Sequence, residues 1–188
     1  MSKAQQNNIK TSIITSLYID ALRAGHPFSF RVASNSMIPT LSIGDHVYIE
    51  PAKAKEIRIG DIAAFETPHG LVIHRIVRSQ QTETSVRLLQ MADVDLQASW
   101  IEEHAIIGRV ISACHQNRVI HFQHPVAQRC GKITARLRYQ LYLRKANKPL
   151  RVISRHCSRW IIRSGYLWIR CCCSTKAITD ETSPIYQQ

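Results

Sequence analysis

The stretch SNSMIPTL, residues 34–41, holds a serine in a segment whose neighbours restrict the backbone. Pro39 fixes its own φ and biases Ile38 toward an extended conformation, which predicts a shaped loop and not a helix. Such a loop either caps the next element or presents Ser36 to another group. A serine hydroxyl becomes a nucleophile only when an adjacent base removes its proton. The chemistry of this loop therefore depends on a base that the fold brings to Ser36.

A candidate base is His74, which lies in the stretch LVIHRIV. Strand alternation places Val72, His74 and Ile76 on one face, so the imidazole has an apolar setting that favours its neutral form. A neutral imidazole is the form that accepts a proton. Each signal also has an ordinary structural reading, because a serine near a proline commonly marks a turn and a strand histidine is commonly a core residue.

The elements around these residues follow from periodicity. Apolar residues at helical spacing predict an N-terminal helix: Ile9, Ile13, Ile14, Leu17, Ala21 and Leu22. Gly25 and Pro27 should end this helix. Seven short, β-branched segments follow between turn signals: FSFRVAS, DHVYIEP, DIAAFE, GLVIHRIV, TSVRLLQM, IIGRVISA and NRVIHF. They predict a mainly β protein with a compact antiparallel fold.

The basic charge of the chain lies almost wholly in its last third. Residues 1–117 carry 11 basic and 11 acidic residues, whereas residues 118–188 carry 14 basic and 2 acidic. Four arginines recur every fourth residue: Arg151, Arg155, Arg159 and Arg163. This cationic helix of residues 150–173, with tryptophans at its boundary, either lies on an anionic membrane surface or packs on the body with solvated arginines. We do not expect a nucleic-acid partner, because no nucleic-acid-binding fold signature accompanies the charge.

We expect four regions: an amphipathic helix (1–27), a catalytic β domain (28–125), a basic helical extension (126–175) and a flexible tail (176–188). The six cysteines show no zinc-type spacing, and we expect free thiols, no metal and no cofactor. No signal peptide or membrane-spanning segment is visible, which predicts a cytoplasmic or peripherally membrane-associated protein.

The order of five motifs resembles the signal peptidase I family: SNSMIPTLSIGD, IRIGDIAAF, LVIHRIV, LLQMADVD and IIGRV. The resemblance covers residues 28–112 and is greatest to the branch that includes archaeal enzymes and the catalytic subunit of the endoplasmic reticulum complex. It implies a signal-peptidase/LexA-like β fold. It further implies that Ser36 is the nucleophile and that His74 is the base where bacterial housekeeping enzymes have lysine. Ser34 matches a hydroxyl that, with the Ser36 backbone N–H, forms the oxyanion hole.

The third member of the site stays open between two aspartates. Asp93 matches the aspartate of the family's Lys-Gly-Asp by position, where this chain reads Met91-Ala92-Asp93. The branch also has an acidic residue a few positions later, where this chain reads LQAS. Asp95 is therefore the alternative residue to orient His74. A further departure is that membrane-bound members of the family have spanning helices, which are not visible in this sequence.

The resemblance implies a serine endopeptidase that cleaves a leader or signal-type peptide bound in an extended conformation. Two alternatives remain. One is a LexA-like self-cleaving regulator, a group that uses a lysine base and carries an N-terminal DNA-binding domain. The other is a non-catalytic peptide-binding module of the same fold, which the altered aspartate region would fit.

Overall fold

The computed structural model describes residues 3–83, 85–115 and 118–146, with side chains described from Ile13 to Lys145. The 150–173 helix and the tail predicted above lie outside these residues. The chain begins with helix α1 (Lys3–Arg23) and then forms eight strands and a second helix. The strands are β1 (Phe28–Arg31), β2 (His46–Pro51), β3 (Ile62–Thr67), β4 (Gly70–Gln81), β5 (Val86–Met91), β6 (Ala98–Glu102), β7 (Ile106–His115) and β8 (Arg118–His121). Helix α2 is Pro125–Ala146.

The strands form one curled antiparallel sheet, which confirms the predicted fold class. The order is β1-β2-β7-β3-β4-β5-β6, and β8 pairs with the end of β7. Strand β3 buries four consecutive residues, with Ile62 and Ala64 in one hydrophobic cluster and Ala63 and Phe65 in another, so core residues lie on both faces of the sheet. Three register shifts, in the pairs β2–β7, β3–β7 and β4–β5, mark places where the sheet bends.

Strand β6 is the element that the sequence pattern did not predict. It reads ASWIE and pairs with β5 alone, so it is the last strand of the sheet. Within it Ile101 is buried, while Ser99 and Trp100 are exposed. An edge strand with one buried side chain lacks the apolar alternation on which the prediction depended.

Helix α1 ends as predicted, just before Gly25, whose φ is +88°, and it packs with part of its predicted apolar face. Ile19 and Leu22 enter the core, and Tyr18 stacks on Phe28 with ring centroids 4.2 Å apart. Ile13 and Leu17, which the periodicity placed on the apolar stripe, are 55% and 60% exposed. The sheet therefore contacts the last turns of α1 along a narrower face than the sequence pattern indicated.

Helix α2 lies against β4 through small residues, with Ala127 and Ala135 buried. Gly131 meets the turn at Gly60 so closely that a Cβ on Gly131 would lie 2.8 Å from the Gly60 carbonyl oxygen. Ile133, which forms with Leu137 and Leu141 the four-residue apolar repeat that predicts this helix, is 56% exposed. Helical spacing identified the helix, whereas the close approach of two backbones selected its buried face.

Candidate active site

The loop between β1 and β2 carries Ser36 before two buried residues. Met37 and Leu41 lie in the hydrophobic core, and the Leu41 N–H donates to the Met37 carbonyl at 2.9 Å. The Ile38–Pro39 peptide bond within this turn is cis. Ser36 sits half-buried directly before Met37, in a turn closed by the hydrogen bond from the Ile38 N–H to the Asn35 carbonyl at 3.2 Å. The predicted shaped loop is therefore present.

Ser34 lies beside Ser36, and their hydroxyl oxygens are 3.2 Å apart. Either hydroxyl could be the donor. Among the described residues, the Ser36 hydroxyl forms no hydrogen bond with His74. A nucleophile and its base often lie farther apart without substrate and approach in the Michaelis complex. The assignment of Ser34 and the Ser36 N–H to an oxyanion hole remains a prediction.

His74 lies on β4 and shares its face with Val72 and Ile76, as strand alternation predicted. Val72 and Ile76 join the cluster that contains Phe65, and the ring of Phe65 meets the imidazole edge-on at 6.0 Å between centroids. Backbone pairing places His74 opposite Ala63 of β3. The imidazole is therefore packed against apolar side chains on a strand inside the sheet.

The side-chain partner of His74 is Gln90 on β5. The Gln90 amide oxygen lies 2.6 Å from Nδ1, and the Gln90 amide nitrogen donates to the hydroxyl of Ser99 on β6. An amide oxygen can only accept, so a neutral His74 carries its proton on Nδ1. The lone pair is then on Nε2, which is the atom free to take a proton from a nucleophile.

Burial lowers the pKa of His74 below 6.5. The hydrogen bond to Gln90 and the charges of Asp93 and Asp95 oppose this shift without cancelling it. Burial dominates because it removes water from the charged imidazolium, while the bound partner is a neutral amide. His74 is thus a neutral imidazole at pH 7, which is the form that a base requires.

Asp93 is buried and is bound to Arg75, not to His74. The Arg75 guanidinium forms a bidentate ion pair with this carboxylate, with Nε donating to Oδ1 at 2.9 Å and Nη2 donating to Oδ2 at 2.6 Å. The Thr40 hydroxyl donates to Oδ2 as well. Burial would raise the pKa of Asp93, but Arg75, Arg138 and the Thr40 hydroxyl outweigh burial and lower the pKa. Asp93 is therefore an ionised anchor between β4 and the Ser36 loop.

Asp95 is exposed, and its carboxylate accepts the Gln97 N–H at 2.9 Å, which closes a turn. Within the described residues neither aspartate forms a hydrogen bond with His74; both act on the imidazole through their charge alone. The sequence offered Asp93 and Asp95 as orienting residues, and which of them matters for catalysis remains a prediction. In the described structure the orienting contact itself belongs to Gln90.

The Ser36 loop and β4 meet at the segment after β5, residues 92–95. The Val94 N–H donates to the Ser36 carbonyl at 3.0 Å, one residue beyond Asp93. Arg75, next to His74, donates to the Thr40 hydroxyl at 2.7 Å. The Ser36 loop is thus tied through this segment and through Arg75 to the strand that carries His74.

Sequence reasoning missed three residues of this arrangement: Thr40, Gln90 and Arg138. Gln90 gave a signal, since it is the one polar residue between Leu88, Leu89 and Met91 in a buried strand. Arg138 also gave a signal, because it lies three residues after Ala135 on the small-residue face of α2. Thr40 lies inside the SNSMIPTL motif and was treated as part of the loop.

A family model of Peptidase S24-like proteins matches residues 2–111, which include the Ser36 loop, β4 and Asp93. The chain belongs to the Peptidase S24-like family. Membership supports a serine peptidase with a LexA-like fold. Helix α2 begins beyond the matched residues. No curated protein sequence matches the chain. In the described part of the chain, no helix combines the length and apolar character needed to cross a membrane.

Proposed function

We propose that the protein is a signal peptidase I-like serine endopeptidase that cleaves a leader or signal-type peptide, with Ser36 as nucleophile and His74 as base. The observation that carries the proposal is the state of His74. It is neutral, half-buried and held through Nδ1 by Gln90, with Nε2 left to accept a proton. A histidine that only packs in the core would not need hydrogen bonds that connect its strand to the loop carrying Ser36.

In the first step, the Ser36 oxygen attacks the peptide carbonyl carbon while Nε2 of His74 takes the hydroxyl proton. The carbonyl oxygen becomes an oxyanion, which the Ser36 N–H and the Ser34 hydroxyl stabilise. Loss of one such donor lowers the rate by about 100- to 1,000-fold. His74 then gives its proton to the leaving amine, and the acyl group remains on Ser36.

In the second step, a water molecule attacks the acyl carbon and gives a proton to His74. The ester bond to Ser36 breaks, the serine oxygen recovers the proton from His74, and the new carboxyl terminus leaves. Both steps require the imidazole to keep its orientation while its charge changes. Gln90 supplies that orientation, because its amide oxygen accepts the Nδ1 proton in both charge states.

Asp93 serves this mechanism as a positioning residue. Its carboxylate joins Arg75, the neighbour of His74, to Thr40 in the nucleophile loop. In this proposal the Ser-His-Asp triad expected from the sequence, with Asp93 or Asp95 as third member, is replaced by a Ser36–His74 pair with a neutral orienting group, Gln90, and nearby carboxylate charge. The signal peptidase I-like subtype is supported by the resemblance of the motifs and by histidine at the base position.

The test is labelling by a serine-reactive phosphonate. We expect the wild type to be labelled and Ser36→Ala and His74→Ala to lose labelling, since groups that act as a unit lose most activity singly. Ser42→Ala, in the same loop, and His69→Ala, in an exposed turn, are the matched controls and should be labelled like the wild type. Equal labelling of Ser36→Ala and the wild type would refute the proposal.

The family match also fits a LexA-like self-cleaving regulator, and reaction order separates the two functions. Cleavage of an added peptide rises with peptide concentration and turns over repeatedly. Self-cleavage converts each chain once, at a rate that does not depend on protein concentration. A chain that binds extended peptides but is never labelled would instead be a non-catalytic binding module.

A further inference from the structure

We propose that Arg138 of helix α2 is a positioning residue that holds the Ser36 loop in its reactive geometry. This inference rests on the proposed function, and it assigns a role in the site to a helix outside the residues that match the family. The sequence placed α2 in a basic extension. In the structure, Arg138 is 2% exposed and reaches the segment that follows β5.

Arg138 donates hydrogen bonds to the backbone of one short segment. Its Nη1 donates to the Asp93 carbonyl at 2.8 Å, and its Nη2 donates to the carbonyls of Ala92 and Asp95. Three carbonyls within four residues are thereby turned toward one guanidinium. A planar group with several fixed donors can hold three acceptors at once, which the single rotating ammonium of lysine cannot do equally well.

Residue 94, enclosed by these three carbonyls, makes the contact with the nucleophile loop. The Val94 N–H donates to the Ser36 carbonyl at 3.0 Å. An N–H can point to Ser36 only while the neighbouring carbonyls keep their direction, because each peptide unit is planar. The Asp93 carbonyl and the Val94 N–H belong to the same planar peptide unit, so the hydrogen bond from Arg138 to this carbonyl fixes the direction in which the Val94 N–H points to Ser36.

Helix α2 is fixed on the fold independently of Arg138. Gly131, two turns before Arg138 on the same face, packs on the backbone of Gly60. The Gly60 carbonyl in turn accepts a hydrogen bond from Arg75 at 2.8 Å. The arginine thus extends from an anchored helix face.

The charge balance favours a positioning role over simple stabilisation. Arg75 and Arg138 are both buried beside one carboxylate, and the Asp93 carboxylate is closer to Arg75, at 2.6 Å, than to Arg138, at 3.8 Å. Burying a guanidinium opposes folding, and a well-packed apolar side chain is often as stabilising. What Arg138 contributes is a fixed backbone geometry of residues 92–95.

The experiment compares Arg138→Gln with Arg136→Gln, an exposed arginine two residues away on the same helix. The probe is an alkyl fluorophosphonate, and labelling is resolved into a maximal rate and a half-saturation concentration. A displacement of about 1 Å at a reacting group can lower the rate about 100-fold. We expect that loss in the maximal rate for Arg138→Gln, a half-saturation concentration near that of the wild type, and no change for Arg136→Gln.

A second readout needs no activity. Amide hydrogen exchange should show that Val94 loses its protection in Arg138→Gln, while the amide of Val110 in the core strand β7 keeps its protection. If the wild type is never labelled, the proposed function fails, but the exchange at Val94 still decides the role of Arg138. Unchanged exchange at Val94, or equal loss of protection at Val94 and Val110, overturns the inference.

Arg138→Lys is a second variant that keeps the inference testable if Arg138→Gln does not fold. It keeps the buried charge and loses the planar fork, so it should show the same selective loss at Val94 and a smaller loss of labelling rate. A folded Arg138→Lys protein with wild-type exchange at Val94 and wild-type labelling overturns the inference as well.

Discussion

Gln90→Glu places a carboxylate where the structure has a neutral amide, with little change in shape. The acceptor atom lies 2.6 Å from Nδ1 of His74. The second contact of this side chain can be kept, because the Ser99 hydroxyl, which now accepts from Gln90, can turn and donate to a carboxylate. The variant therefore tests the charge of the orienting group at nearly constant geometry.

The magnitude follows from the distance and from the burial of the ring. Burial lowers the pKa of His74 in the wild type, and the amide opposes that shift only through its hydrogen bond. A carboxylate within a few ångströms stabilises the imidazolium and raises a histidine pKa by about one to three units. The acid limb of the pH–rate profile, where cleavage slows as the pH falls, reports protonation of His74. This limb should therefore move to higher pH by a similar amount.

Gln90→Leu gives the opposite result. It removes the hydrogen bond that raises the pKa of His74, so the acid limb should move to lower pH. The imidazole also loses the acceptor that selects its tautomer, and a wrong tautomer can lower kcat by up to about 10,000-fold. A shift of the acid limb to lower pH together with a lower maximal kcat/KM indicates that the imidazole has lost its orientation. A shift of the limb alone indicates only a change of charge.

The assay is the pH dependence of kcat/KM, since this quantity reports ionisations of the free enzyme. Titration of the His74 ring by NMR gives the same pKa without any turnover. Gln81→Glu, at the exposed end of β4, is the control and should leave the limb in place. If the acid limb of Gln90→Glu stays at the wild-type position, or Gln90→Leu keeps the full rate, Gln90 does not orient His74.

Further predictions concern stability, charge and the basic region. Asp93→Asn should lower the free energy of unfolding by about 3–5 kcal/mol in a denaturant titration, because it leaves a buried guanidinium without its carboxylate; a wild-type midpoint would contradict this. Asp95→Asn should keep wild-type stability and move the acid limb slightly downward, as it removes an exposed charge that raises the pKa of His74. Since the folded pKa of His74 lies below 6.5, the unfolded chain takes up that proton first, so stability should fall as the pH drops below 6.5; His74→Asn should remove this part of the pH dependence. The sequence pattern of residues 150–173 predicts binding to anionic vesicles, and Arg155→Glu with Arg159→Glu should weaken co-sedimentation at low salt, since each cation near such a surface contributes about 1 kcal/mol.

The sequence by itself determined most of the elements and the two residues that we propose to react. Period-two segments predicted seven of the eight strands, and helical spacing predicted both α1 and α2, because these patterns depend on near neighbours in the chain. The loop around Ser36 and the apolar face of His74 were also readable, since proline geometry and strand alternation are local. Strand β6 was not, because an exposed edge strand leaves little apolar pattern.

Only the tertiary structure decided which polar groups meet. Asp93 and Gln90 are 18 and 16 residues from Arg75 and His74, and both were available to orient the imidazole. The pairing of β4 with β5 directs Gln90 to His74, whereas Asp93, beyond the end of β5, meets the guanidinium of Arg75. Arg138 joins them from 45 residues away, through a helix whose docking depends on two glycines. Side-chain partners are chosen by distances in space and by competition for a buried charge, and neither is encoded in the spacing of residues along the chain.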